Sequence, residues 1–136
     1  MMVKTRTGLS AVFVLVLLGL CGCTLFTITL DESDFGSIQT LDVGDLVRIR
    51  LRGNASTVYE WIRVEPASLT GTPLDIVEEG GYRTLGCQLV GEPGEFIFRY
   101  RAMRPGTVVL GFEHRRDWEP EAEEPIDTYS VTVWVR

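Results

Sequence analysis

Lysine is almost absent from this sequence of 136 residues: Lys4 is the only one, and His114 is the only histidine. Carboxylates outnumber basic side chains 19 to 13, for a formal charge of −6. A surface this acidic repels phosphate backbones, which argues against nucleic acid as a partner. The shortage of histidine excludes the usual metal and acid–base constellations. No His, Cys, Asp or Glu cluster has metal-ligand spacing, so neither a metal nor a cofactor is expected. The one nucleophile–base pairing on offer is Cys87 with His114, and nothing basic flanks Cys87 to activate its thiol. An enzyme is therefore not expected. Cysteine is scarce as well, with three in all at positions 21, 23 and 87. Cys87 stands alone in the body of the chain, so the fold must hold by packing rather than by a disulfide. A long apolar run is also missing. The run at residues 9–20 falls short of the ~20 residues that span a bilayer. Past it, no stretch has a helical period.

What is present begins with a leader. Residues 1–8 carry Lys4 and Arg6, residues 9–20 are almost wholly apolar, and Cys21-Gly22-Cys23 follows. A basic start, a short apolar core and small residues mark a secretory signal. Leu20-Cys21-Gly22-Cys23 resembles a bacterial lipoprotein box, with Gly22 before the modified cysteine and Cys21 as a departure from it. Residues 1–22 are thus expected to be a signal peptide, Cys23 a lipidated N-terminus, and 23–34 a tether, although 25–30 also suit a strand. Several acyl chains, each buried methylene worth about 0.8 kcal/mol, would hold the chain on a membrane. Thr24 stands where an inner-membrane retention signal would have Asp, which favours an outer membrane. Loss of Lys4 and Arg6 leaves 11 basic residues against 19 acidic ones, a charge of −8.

The domain expected at 35–136 reads as strands. In 45–52, Val47, Ile49 and Leu51 share one face, and Arg48, Arg50 and Arg52 share the other. That is the period of a half-buried strand, with the arginines on a solvated face. In 95–102, Phe96, Phe98, Tyr100 and Ala102 alternate with Glu95, Ile97, Arg99 and Arg101. Val108, Leu110 and Phe112 repeat the pattern, as do Tyr129, Val131, Val133 and Val135. A short strand at 74–77 followed by a turn at Glu78-Glu79-Gly80-Gly81 completes the reading. Repeated short strands with turn punctuation predict an all-β, immunoglobulin-like sandwich of about seven to eight strands. Trp134 and Phe112 are assigned to packing, and His114 to a partly buried strand position.

Three loops separate these strands. The first is Asn54-Ala55-Ser56-Thr57-Val58-Tyr59-Glu60-Trp61, small and polar at its near end and anchored by aromatics at its far end. The second is Gly91-Glu92-Pro93-Gly94, and the third centres on Arg116-Asp117-Trp118. Together they resemble the chagasin-type inhibitors of papain-like cysteine peptidases. That family's first loop reads Asn-Pro-Thr-Thr-Gly-Tyr-x-Trp; Asn54, Thr57, Tyr59 and Trp61 match, and Ala55, Ser56 and Val58 depart. Its second reads Gly-x-Gly-Gly, from which Pro93 departs. Its third reads Arg-Pro-Trp, from which Asp117 departs.

The resemblance covers residues 34–136 and implies a β-sandwich monomer whose loop tips form a wedge. Loop one would cover the catalytic Cys and His of a peptidase, and the other two would clasp its cleft. The implied contacts are Asn54, Ala55, Ser56, Thr57, Val58, Tyr59, Gly91, Glu92, Pro93, Gly94, Arg116, Asp117 and Trp118. Tyr59 and Trp61 also read as strand anchors, and Gly91 and Gly94 as turn glycines. β-Branched Val58 in place of glycine, and Asp117 in place of a rigid apolar ring, predict shifted selectivity. The alternative is an envelope lipoprotein whose immunoglobulin-like domain binds or scaffolds other surface proteins without inhibiting anything.

Overall fold

Alternating side chains give each strand an apolar face, and two such faces must meet. A computed structural model of the chain describes residues 25–86, 91–116, 118 and 124–136. Its strands are β1 (Thr27–Leu30), β2 (Ile38–Leu41), β3 (Leu46–Gly53), β4 (Glu60–Glu65), β5 (Leu74–Thr84), β6 (Gly94–Ala102), β7 (Gly106–Arg115) and β8 (Asp127–Val135). They form two four-stranded sheets in the orders β1-β3-β6-β5 and β2-β8-β7-β4. The neighbours are antiparallel except at the edges, where β1 runs parallel to β3 and β2 parallel to β8. The expected immunoglobulin-like sandwich is the fold found.

The inner faces are the predicted ones. Val47, Ile49 and Leu51 of β3 and Phe98, Tyr100 and Ala102 of β6 are buried from one sheet. Leu110 and Phe112 of β7 and Val131, Val133 and Val135 of β8 are buried from the other. Phe98 and Phe112 meet across the sheets with ring centroids 4.6 Å apart. Outside the first sheet, the arginine stripe finds carboxylates: Arg50 lies 3.8 Å from Glu95, and Arg99 lies 3.7 Å from Glu78. At such exposure these pairs contribute little to stability.

Three expectations need correction. Residues 27–34 are not tether. β1 pairs with β3, Leu30 enters the core, and the 3-10 turn Glu32–Asp34 is capped by Asp31 while Glu32 accepts the Arg52 backbone N–H. The turn expected at Glu78–Gly81 is instead inside β5. Two register shifts, between Ile76 and Glu78 and between Glu79 and Gly81, make β-bulges, and Gly80 supplies a φ of +76° there. Trp134 is not packing: it faces out of β8 and is 49% exposed. The leader, Cys23 and Cys87 lie outside the described residues.

The registers define two poles. Gly53, Gly94 and Thr84 are matched across β3, β6 and β5. Glu60 is matched with Arg115, and His114 with Asp127. The β3–β4, β5–β6 and β7–β8 connections therefore leave the sandwich at one end. The opposite end gathers the β2–β3 and β6–β7 turns, the start of β1 and the C-terminus. There the Gly44 N–H donates to Ala102 O at 2.8 Å, Leu46 N–H to Phe26 O at 2.8 Å, and Arg136 N–H to Leu41 O at 2.9 Å.

Candidate functional site

The first connection shapes itself. Asn54 Oδ1 accepts from the Ser56 N–H at 2.9 Å and from Ser56 Oγ at 2.6 Å. The Asn54 carbonyl accepts from the Thr57 N–H at 2.9 Å and from Thr57 Oγ1 at 2.7 Å. This is an Asx turn closed by a threonine hydroxyl. Asn54, Ser56 and Thr57 thus bond within the loop, and Ala55, Ser56, Thr57 and Val58 are its exposed residues.

Cross-ties join this loop to its neighbours. Asn54 Nδ2 donates to Gly91 O in the second loop at 3.1 Å. The Arg116 guanidinium of the third loop sits over the Tyr59 ring, 5.2 Å from its centroid, within cation–π range. Beneath them, His114 is the hub. Its ring stacks on the Trp61 indole with centroids 4.9 Å apart and planes 8° apart, and meets Tyr59 edge-on at 6.1 Å. Trp61 is buried, and its Nε1–H donates to Arg52 O at 2.8 Å, fixing the end of β3 to the start of β4.

The second loop rests on glycines and on Tyr82, whose hydroxyl donates to Glu92 O at 3.3 Å. Gly91 has a φ of +90°, a conformation β-carbons resist. Gly94 is buried: a Cβ there would sit 2.5 Å from the Tyr82 ring and closer still to the Arg83 carbonyl. Gly94 thus lets β5 and β6 close rather than touching a partner, while Gly91 and Pro93 are exposed and Glu92 half-buried. Trp118 of the third loop is 62% exposed. Asp117 lies outside the described residues. Gly53, Tyr82 and His114 are the site residues that motif reasoning left out. At Gly53 a Cβ would come 2.7 Å from the Phe96 ring at the point where β3 ends.

The described parts of the three loops are thus tied to one another at one end of the sandwich, with an exposed indole in the third. Among the described residues, no group of His, Cys, Asp and Glu is placed to hold a metal. A family model described as the chagasin family peptidase inhibitors, I42, matches residues 40–133. The chain belongs to the chagasin family of peptidase inhibitors. Amoebiasin-2 from Entamoeba histolytica is 27% identical over 117 residues, spanning 84% of this chain and 92% of that protein. The crystal structure of a cysteine protease inhibitor from the same organism superposes with a TM-score of 0.71 at 22% identity, covering 85% of this chain and all of the other. PbICP-C, solved in complex with falcipain-2, superposes with a TM-score of 0.50 at 21% identity, covering 83% of this chain and 93% of the other. At those identities the two structures establish the shared fold.

Two consequences follow for this chagasin-family site. Asn54→Ala removes both the Asx turn and the tie to Gly91, whereas Asn54→Asp keeps the acceptor and loses only the donor. Each lost bond is worth about 1 kcal/mol, roughly fivefold in an inhibition constant. The expected order in a peptidase titration is wild type tightest, then Asn54→Asp, then Asn54→Ala. The second concerns acid. Burial holds His114 below its ordinary value of 6.5, opposed by the charge of Asp127 and by a hydrogen bond to the Tyr59 backbone. A base depressed in the folded state binds more protons when unfolded, so its cost is absent above 6.5 and grows as pH falls below it. Urea midpoints at about pH 7.5 and about pH 5.5 should fall further apart in wild type than in His114→Phe.

Proposed function

We propose that this chain is a reversible, non-covalent inhibitor of papain-like cysteine peptidases, exported and held at a cell-envelope membrane by a lipid on Cys23. The observation that carries the reading is that all three loops leave the sandwich at one pole, with Trp118 exposed in the third. A cross-tied surface loses little entropy on docking, and an exposed Trp is a typical anchor for a partner's pocket. Family membership supplies the class of target. Inhibition by occlusion needs no chemistry from the inhibitor, only a wedge that reaches the nucleophile without presenting a peptide carbonyl in line for attack.

Ala55, Ser56 and Val58 would cover the catalytic Cys and His. Gly91, Glu92 and Pro93 would lie on one side, and Arg116, Asp117 and Trp118 on the other. Asn54, Thr57, Tyr59 and Gly94 would act by holding the wedge in shape. The leader composition supports cleavage before Cys23, with residues 1–22 as signal peptide and the inhibitor acting outside the cytoplasm. Titration of papain and related peptidases with a soluble chain starting at Thr24 tests the inhibitory part. Competitive inhibition supports it, and no inhibition of any peptidase at high micromolar concentration overturns it. Mass spectrometry of the N-terminal peptide from envelope membranes tests the lipid. Diacylglyceryl-modified Cys23 supports the anchor, and an unmodified or uncleaved N-terminus overturns it.

A further inference from the structure

The pole opposite the loops carries a group of exposed apolar side chains. Leu25 and Phe26, entering β1, are 56% and 61% exposed, and Val43, Met103 and Trp134 are exposed around them. Leu25, Val43 and Met103 lie close together: a Cβ on Gly44 would sit 3.4 Å from the Leu25 side chain, and Gly44, next to Val43, bonds to Ala102 beside Met103. Trp134 pairs with Thr40 near the end of β2, at the same end of the sandwich. The charge balance also differs here. Arg101, Arg104 and Arg136 match Asp42, Asp45 and Asp75 at this end, and Asp42 is 3.1 Å from Arg136. Toward the loops, Glu32, Glu60, Glu92, Glu95, Glu113, Glu124 and Asp127 stand against Arg52, Arg83, Arg115 and Arg116 near the strand ends. In a chain with a formal charge of −6, this end is thus charge-balanced around its exposed apolar side chains.

The geometry points to this pole as a membrane-resting face, whose occupant is a lipid surface containing anionic headgroups. The chain itself supplies the reason. Residues 1–24 lead into β1 at this end, and they include the apolar run at 9–20 and Cys23. Three residues separate Cys23 from Thr27, a reach of roughly 14 Å, so an anchor at Cys23 brings this end against the headgroups. There Leu25, Phe26, Val43 and Met103 enter the interface, Trp134 takes the headgroup level where indoles concentrate, and Arg101, Arg104 and Arg136 meet lipid phosphates. The peptidase-facing loops then point straight out from the membrane, clear of it for a soluble enzyme. This rests on the proposed Cys23 anchor, which the test separates from the docking itself.

The protein's own tryptophans report it. Trp118 marks the loop pole, Trp134 the base, and Trp61 is buried. The full chain, expressed in a bacterial host and purified from its membranes, is reconstituted on vesicles of phosphatidylcholine with a minority of phosphatidylglycerol, made with and without brominated acyl chains. Flotation reads attachment, and fluorescence reads depth. Expected are flotation of all variants, bromine quenching in wild type and Trp118→Phe, and loss of that quenching in Trp134→Phe. Flotation with Trp134 unquenched, or with Trp118 quenched instead, overturns the resting face and leaves the anchor standing. Failure to float overturns the anchor and the face together.

Discussion

Trp118→Ala is expected to weaken inhibition of papain-like peptidases about thirtyfold, corresponding to about 2 kcal/mol, without lowering the melting temperature. The two halves of this expectation have separate physical grounds. The indole is 62% exposed, so its removal leaves no cavity in the sandwich. An aromatic ring held at the tip of a loop is instead the kind of group that fills a partner's pocket, and truncating it strips that contact and wets the pocket. The loop beneath it stays in place, because Arg116 remains over Tyr59 and Tyr59 remains against His114. Inhibition constants and thermal melts on the same preparation separate the two effects. Unchanged inhibition would place Trp118 outside the contact.

Trp61→Ala is expected to do the reverse, losing about 3–5 kcal/mol of stability and inhibition along with it. Trp61 is 4% exposed, inside the core that joins the two sheets. Its ring supports His114 from below, and its Nε1–H satisfies the Arg52 carbonyl where β3 turns toward the loop. Alanine opens a cavity, leaves that carbonyl unpaired and releases the histidine to which Tyr59 is packed. Trp61→Phe separates the causes: most of the volume returns, while the missing donor still costs about 1–3 kcal/mol. Denaturant unfolding of the three proteins measures the series. A Trp61→Phe as unstable as the alanine variant would mean that the hydrogen bond, rather than the volume, dominates.

The contrast between these tryptophans explains what was legible in the sequence. Half-buried strands write their inner face at period two, so β3, β6, β7 and β8 could be read from Val47, Phe98, Leu110, Val131 and their alternates. β5 could be read only over its first residues, 74–77, because its two bulges each shift the side chains to the other face and erase the period across Ile76–Gly81. β1 and β2 are four residues each, too short for alternation to show. Trp134 illustrates a choice between signals. Its position opposite Val133 and Val135 points outward and its aromatic character inward, and the period was right.

Within the site, the order of the three loops and the exposure of Trp118 could be read from motif spacing, but the division of labour among the residues could not. Asn54 and Thr57 look like contacts in one dimension. Their bonds to one another form within the turn, but the bond from Asn54 to Gly91 depends on a strand pairing that brings distant residues together. Gly94 looks like a turn glycine until β5 is seen against it. His114 gave no sign of being the hub, because stacking on Trp61 follows from the β4–β7 register alone.

The most direct check on occlusion is the alkylation rate of the target's catalytic thiol. Papain is treated with iodoacetamide, with and without a saturating amount of the chain from Thr24. A wedge seated over the nucleophile predicts that alkylation of the bound enzyme nearly stops, and that Trp118→Ala at the same concentration protects far less. Full binding with the thiol still alkylated at the free enzyme's rate would contradict it.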